Sequence, residues 1–151
     1  MQKAIYFFFA LCFFSKLSLA QEDRKSTEIN DIEIWTKESK VSVKGDTAIV
    51  QLYIQSYLKN PREFKLNTFG SGLTIDGDKP LLYQSITMGK VSVGLKDRLN
   101  YLNYLLTRDE PIVLTIKTLN WKSQWGKPKQ LKLTFEDHQE EGKFLEYFID
   151  L

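Results

Sequence analysis

The residues from Thr47 to Leu58, TAIVQLYIQSYL, alternate apolar and polar side chains with a period of two. Successive side chains of an extended strand point to opposite faces, so Ala48, Val50, Leu52, Ile54 and Leu58 share one face while Thr47, Gln51, Tyr53, Gln55 and Tyr57 share the other. Such a strand has one dry face and one wet face, the condition of an antiparallel sheet with one solvated side. The same period returns three times. From Pro111 to Trp121 it sets Ile112, Leu114 and Ile116 against Thr115 and Lys117, with Pro111 opening the strand where its missing N–H does no harm. In KQLKLTFE it sets Leu131, Leu133 and Phe135 against Lys132, Thr134 and Glu136, and from Lys143 to Asp150 it groups Leu145, Tyr147 and Ile149.

Weaker extended segments lie between these, at Ile29 to Thr36, Glu63 to Asn67, Leu81 to Thr87 and Lys90 to Val93. Turn-forming clusters separate them: Lys44-Gly45-Asp46, Asn60-Pro61, Gly70-Ser71-Gly72, Asp76-Gly77-Asp78-Lys79-Pro80 and Glu141-Gly142. One stretch fits two periods. In LKDRLNYLNYLLTRDE, Leu95, Leu99, Leu102 and Leu106 recur at helical spacing, whereas Leu99, Tyr101 and Leu105 fit a strand; a short helix or helical turn leading into a strand satisfies both. Short strands with regular turns and no helical crossovers predict an all-β, antiparallel, immunoglobulin-like sandwich of about 7–9 strands, with at most one short helix near residues 95–106.

The first twenty residues follow a different rule. Lys3 precedes an unbroken apolar run from Ala4 to Phe14, and Ser18 and Ala20 stand three and one positions before Gln21. A membrane-spanning helix needs about 20 apolar residues, so this run has the length of a signal-peptide core and the small residues mark a cleavage site. An uncleaved anchor is the alternative, and Lys16 weighs against it by placing a charge where the helix must stay apolar. A lipoprotein reading fails because Cys12, the only cysteine, sits inside the run. The expected organisation is a cleavable signal peptide over 1–20, a flexible, polar N-terminus over 21–28 and one sandwich domain over 29–151, exported to the periplasm or beyond. No later apolar stretch reaches spanning length.

Cleavage would remove Lys3 and Lys16, leaving 19 basic residues against 19 acidic ones. A balanced chain has no long-range field to draw in nucleic acid or anionic lipid, and neither is expected as a partner. Loss of Cys12 would also exclude disulfides, thiolate metal sites and cysteine nucleophiles.

Three segments together resemble the telokin-like sort of immunoglobulin-like bacterial envelope domain. They are a long strand running into Asn-Pro (TAIVQLYIQSYLKNPREFKLN), a Gly/Asp-rich excursion (FGSGLTIDGDKP) and a late strand opening after an acidic turn (TRDEPIVLTIKTLNW). The likeness spans Ile29 to Trp121, and two further strands follow it. The Cys and core-Trp signature of antibody-type domains is missing. The resemblance implies a binding or accessory role.

Catalytic chemistry finds little purchase. His138, the single histidine, lies in the turn EDHQEEG without a nucleophile motif around it, and reads as an exposed turn residue. His138 with Asp137, Glu140 and Glu141, or Asp76 with Asp78, could begin a hard-cation site, but Asp-Gly-Asp lacks the further oxygens of a calcium loop and both read as solvated turns. No catalytic residue, metal or cofactor is therefore assigned. The segment NWKSQWGKPKQ instead offers Trp121 and Trp125 beside Lys122, Lys127 and Lys129, a composition suited to docking a partner chain or stacking on a sugar. Trp121, at a strand end, can equally close the sandwich core. Tyr53 and Tyr57 form a second candidate surface, although strand propensity alone selects exposed aromatics. The leading expectation is a protein-binding accessory module of the envelope; a carbohydrate-binding module is the alternative, and a small hydrolase with unidentified acids the third.

Overall fold

A computed structural model describes residues 25–77 and 79–151, so the expected signal segment and Asp78 lie outside the described residues. The chain forms two stacked antiparallel sheets. One has the order β1-β2-β3-β9-β6-β7 and the other β11-β10-β4-β8, with β5 also pairing β10. The strands are β1 (Ser26–Ile29), β2 (Ile32–Val41), β3 (Thr47–Ser56), β4 (Arg62–Asn67), β5 (Gly72–Thr74), β6 (Ser85–Met88), β7 (Val91–Gly94), β8 (Tyr101–Leu106), β9 (Ile112–Leu119), β10 (Gln130–Glu136) and β11 (Phe144–Asp150). No described helix is long and apolar enough to cross a membrane.

The alternation read in the sequence is what places the core. Ala48, Val50, Leu52 and Ile54 of β3 are buried together with Leu114 and Ile116 of β9, and face Phe64, Leu66, Leu131, Leu133 and Phe135 of the other sheet. Phe64 packs on Phe135 with ring centroids 5.2 Å apart.

Eleven strands among the described residues exceed the seven to nine expected. Residues 21–28 are polar, yet Ser26, Thr27 and Glu28 pair with Trp35, Ile34 and Glu33. The hairpin that returns them turns on Asn30 and Asp31, both with positive φ (49° and 63°), as a tight primed turn demands. Next, the strand expected over residues 63–67 resumes after an excursion as β5. Across the gap the Ser71 hydroxyl accepts from the Thr134 N–H at 2.9 Å, standing in for a missing backbone partner. The doubly periodic stretch supplies a further strand, β8, whereas β6 and β7 stand where Leu81 to Thr87 and Lys90 to Val93 are expected, the first shortened because Leu81 to Gln84 are not part of the strand.

The doubly periodic stretch resolves in chain order. Leu95–Asp97 is a single 3-10 turn, with the Asp97 carboxylate accepting from the Gly94 N–H at 2.6 Å, and Arg98 in the left-handed region ends it. From Tyr101 the period is two: Leu102 and Leu106 are buried, while Tyr101 and Leu105 are exposed.

Among the described residues the most buried charged side chain is Arg62, 1% exposed. Its guanidinium donates to the Asn30 carbonyl and, at 2.6 Å, to Asn30 Oδ1. Asn30 in turn donates to Asp137 Oδ1 at 2.8 Å and accepts from the His138 N–H at 2.9 Å. Burial pulls the guanidinium below its usual range, and the carboxylates of Asp31 and Asp137 pull it back. This network ties the β1–β2 turn of one sheet to β4 and the β10–β11 turn of the other.

Removing Arg62 leaves the Asn30 acceptors without their donor and empties the space its buried side chain fills, at a cost of about 2–5 kcal/mol. Arg62→Ala should lose that much in urea unfolding, and a loss below about 1 kcal/mol would show that the network is not a lock. Asp137 supplies a pH-dependent part. Its carboxyl is held below the ordinary value of 3.8 by the Gln139 N–H and the Asn30 amide, with Lys143 adding to them. A depressed carboxyl stabilises the fold above its unfolded value, and that contribution fades as pH falls through the folded one. Asp137→Asn should therefore be less stable than the parent at pH 6, with the gap closing as pH drops below 4; a constant gap from pH 6 to pH 3 would contradict this.

Candidate functional site

Beyond β9 the chain turns at Asn120, in the left-handed region at φ 58°. Trp121 then swings back into the sandwich. Its N–H donates to the Asp46 carbonyl at 3.0 Å, its ring is 4% exposed, and its indole Nε1–H donates to the Gly126 carbonyl at 2.8 Å. A 3-10 turn, Ser123–Trp125, follows. Its last residue lays Trp125 against Trp121, the centroids 5.2 Å apart and the planes at 81°. Lys122 stands over the Trp125 ring with Nζ 5.2 Å from its centroid. Trp121 is thus core, and Trp125, half-buried, is the surface element built on it.

Trp125 stands between the second and third of three adjoining depressions that form a groove. The largest, about 800 Å³, lies between residues 82–85, Gly94–Asp97 and the end of β9 at Lys117, Leu119 and Asn120. The second, about 460 Å³, shares Leu82, Leu119 and Asn120 with it and reaches Trp125; the third, about 230 Å³, continues from Trp125 to Thr74, Lys127 and Lys129. The floor is apolar, with Leu82 64% and Leu119 41% exposed. The margin carries Lys79, Lys96, Lys117, Lys127 and Lys129 against Asp76 and Asp97, and the Asp97 carboxylate is already engaged by the Gly94 N–H.

The groove wall is the segment that failed to become a strand. Gln84 is held on both sides, its N–H donating to the Lys117 carbonyl at 2.6 Å and its carbonyl accepting from the Leu95 N–H at 3.0 Å. Leu81 N–H donates to the Leu73 carbonyl at 2.8 Å. Tyr83 is buried with its ring tilted against Phe69 at 6.0 Å. The close approach of this wall to β5 requires Gly72, since a Cβ there would lie 2.6 Å from the Leu81 carbonyl oxygen.

The six residues singled out in the sequence fall into two places. Trp121, Trp125, Lys122 and Lys127 come together at the groove end. Tyr53 and Tyr57 lie on the outer face of the first sheet, where Tyr53 stacks on Trp35 at 5.2 Å under Lys37 and the Tyr57 hydroxyl donates to Glu33 at 2.9 Å. Burial and the Glu33 and Glu28 carboxylates push the Tyr57 hydroxyl up to about 12. Thr47 pairs with Leu119 at the groove end of β3, so Tyr53 stands about 20 Å away along the strand. Leu82, Leu119, Lys96 and Lys117 went unread. Two signals bore on them: Leu119 is apolar on the polar phase of β9, and of the consecutive pair Leu81-Leu82 after Pro80 one must face out. His138 is exposed in the β10–β11 turn, and no group of three or more metal-ligating side chains occurs among the described residues.

The perpendicular indoles offer no flat platform. Trp121 has its ring inside and its donor used, so a sugar could stack on Trp125 alone, and Lys122 already stands over that ring. Neither a protein-family model nor a curated protein matches the chain.

Two substitutions separate the roles of the loop and the wall. Trp121→Ala should cost about 3–5 kcal/mol in denaturant unfolding, the loss for a buried large aromatic, and Trp125→Ala should cost under half of that; equal losses would place both rings in the core. Gly72→Ala should destabilise by about 1–3 kcal/mol and move the amide resonances of Leu81 and Leu82, and unchanged resonances would show that the wall does not depend on the missing side chain.

Proposed function

We propose that the protein is an exported, non-catalytic binding module of the bacterial cell envelope, which takes a segment of another protein into the groove between Leu82 and Trp125. The observation that carries this reading is an open, apolar channel bordered, among the described residues, by five lysines and two aspartates, one of them engaged. Apolar floor supplies affinity to side chains of an extended chain, and exposed rim cations choose its charge and speed its arrival. The occupant expected on these grounds is a peptide segment that alternates aliphatic or aromatic residues with Asp or Glu. Export is supported by the short apolar run at Ala4 to Phe14 with its small residues before Gln21.

The order of strands supports the immunoglobulin-like kinship. Strands β2-β3-β9-β6 follow the A-B-E-D order of that fold and β4-β10-β11 its C-F-G order, each in the matching chain sequence. Strand β8 departs from the plan: it lies beside β4 yet comes after β6 and β7 in the chain.

A display library of random peptides, panned on the purified protein, tests the reading. Enriched peptides should combine acidic with large apolar residues, should shift the amide resonances of Lys117, Leu119 and Trp125, and should bind at least about tenfold more weakly to a Leu82→Ser, Trp125→Ala double variant. Because the rim lysines are exposed, affinity should also fall between about 0.05 and 0.5 M salt. Enrichment of nothing, or of peptides that bind the double variant equally well, would overturn it.

A further inference from the structure

We propose that β8 is a self-pairing edge, through which two copies of this chain join their second sheets about a two-fold axis at Asn103. An edge strand exposes a row of unpaired N–H and C=O groups, and proteins ordinarily guard it with charge, brevity or covering structure. Three edges are guarded. Strand β1 is four residues long and carries Glu28, β11 carries Glu146 and Asp150, and β7 is four residues long. Strand β8 is six residues, YLNYLL, with no charge, proline or glycine. The nearest charges along the chain, Arg98 and Arg108, lie outside it, with Arg108 paired with Asp109 at 3.3 Å; across the ladder Lys65 stands opposite Asn103, paired with Glu136 at 3.1 Å, and Glu63 stands opposite Leu105.

The register says which groups are free. The Thr68 N–H donates to the Asn100 carbonyl at 2.9 Å, one step before β8 pairs Asn67 with Tyr101. The N–H and C=O of one strand residue point the same way and alternate along the strand. Leu102, Tyr104 and Leu106 therefore bond β4, and Tyr101, Asn103 and Leu105 direct both backbone groups to the open edge. Their side chains stand on the solvent face of the sheet, with Leu105 60% exposed. The inward phase is already satisfied: Tyr104 closes the flank against Gly89, where a Cβ would meet its hydroxyl at 2.6 Å.

A second copy fits this edge because the outward phase is self-complementary. Antiparallel pairing that keeps solvent faces together sets Asn103 opposite Asn103 of the other copy and Tyr101 opposite Leu105, twice by symmetry. That gives about six inter-strand hydrogen bonds, two aromatic–aliphatic pairs and one amide pair. Tyr101 is held ready for it, its ring stacked on Phe144 at 5.5 Å with Lys65 Nζ 4.9 Å above. The contact is isologous and closes as a dimer, leaving the groove of each copy to its own ligand.

Sedimentation of the protein recovered from cells expressing the full chain, run over a concentration series, tests this with two exposed substitutions. The parent should form a concentration-dependent dimer. Asn103→Asp and Asn103→Lys, each placing like charges opposite each other at the axis, should raise the dimer dissociation constant by about fivefold or more, and an equimolar mixture of the two should recover the parent's affinity. The amide of Asn103 should exchange more slowly in the dimer, whereas that of Leu102 should not change. A parent that stays monomeric, variants that dimerise unaltered, or a mixture no better than either variant would overturn the proposal. None of these outcomes depends on whether the groove binds peptide.

Discussion

Arg62 carries its guanidinium into the interior at one end of the sandwich, where its polar contacts join the two sheets, and the geometry at that end follows from the need to satisfy it. Desolvating a cation is costly unless its donors are used and countercharge is near. Asn30 meets the first requirement for the two terminal guanidinium nitrogens, with its carbonyl and its side-chain amide oxygen, and leaves the buried Nε–H without a partner among the described residues; it does so because the turn at Asn30-Asp31 adopts the left-handed backbone that presents both acceptors to the same side chain. Asp137 meets the second through Asn30's own amide. The short strand β1, the turn after β10 and the start of β4 are thereby held to one another by a single side chain. Hydrophobic contact is tolerant of sliding; a forked donor against two fixed acceptors is not.

The opposite end is built on apolar packing, and there the chain is irregular. Strand β4 breaks after Asn67, resumes as β5, and leaves Ser71 to fill the ladder with a hydroxyl. The resumed strand carries Gly72, which lets residues 80–82 pass close over it, and those residues become the wall of the groove instead of a further strand. The groove is thus a consequence of ladder interruption. A continuous strand through residues 62–74 would have left no reason for the chain to cross the end of the sandwich with Leu82 facing outward.

How much of this was legible in the sequence depends on the range of the interaction involved. Period-two alternation in β3, β9, β10 and β11 is local, and it assigned the element type and the core-facing side chains correctly, including Leu145, Tyr147 and Ile149 at the weakly alternating C-terminal strand; on β10 the expected wet face is not wet, because Lys132 and Thr134 are buried as well as Leu131, Leu133 and Phe135. In the stretch from Leu95 to Leu106, local spacing supported two periods, and the structure uses a single 3-10 turn before the strand. The excess strands were not legible for different reasons: β1 pairs locally, Ser26 with Trp35 across a primed turn, but its polar residues carry no apolar alternation, whereas β5 owes its existence to a partner far along the chain, Leu73 to Leu131. The candidate site divides in the same way. Trp121 and Trp125 are neighbours in sequence and proved neighbours in space, whereas Leu82, Lys96 and Leu119 are assembled from three separate connections, a relation that no pattern within one segment encodes.

The position of Trp125 links these two kinds of information. A surface aromatic on a free loop would lose rotational freedom when it met a partner, and that loss would subtract from affinity. Here the loop is ordered before any partner arrives: Trp121 is anchored by burial and by its bond to Gly126, and Trp125 rests edge-on against it. Lys122 and the groove wall confine the ring further. The hydrophobic core therefore extends its rigidity outward through one buried indole to one half-exposed indole, so that the same side chain which closes the sandwich also sets the geometry of the surface above it.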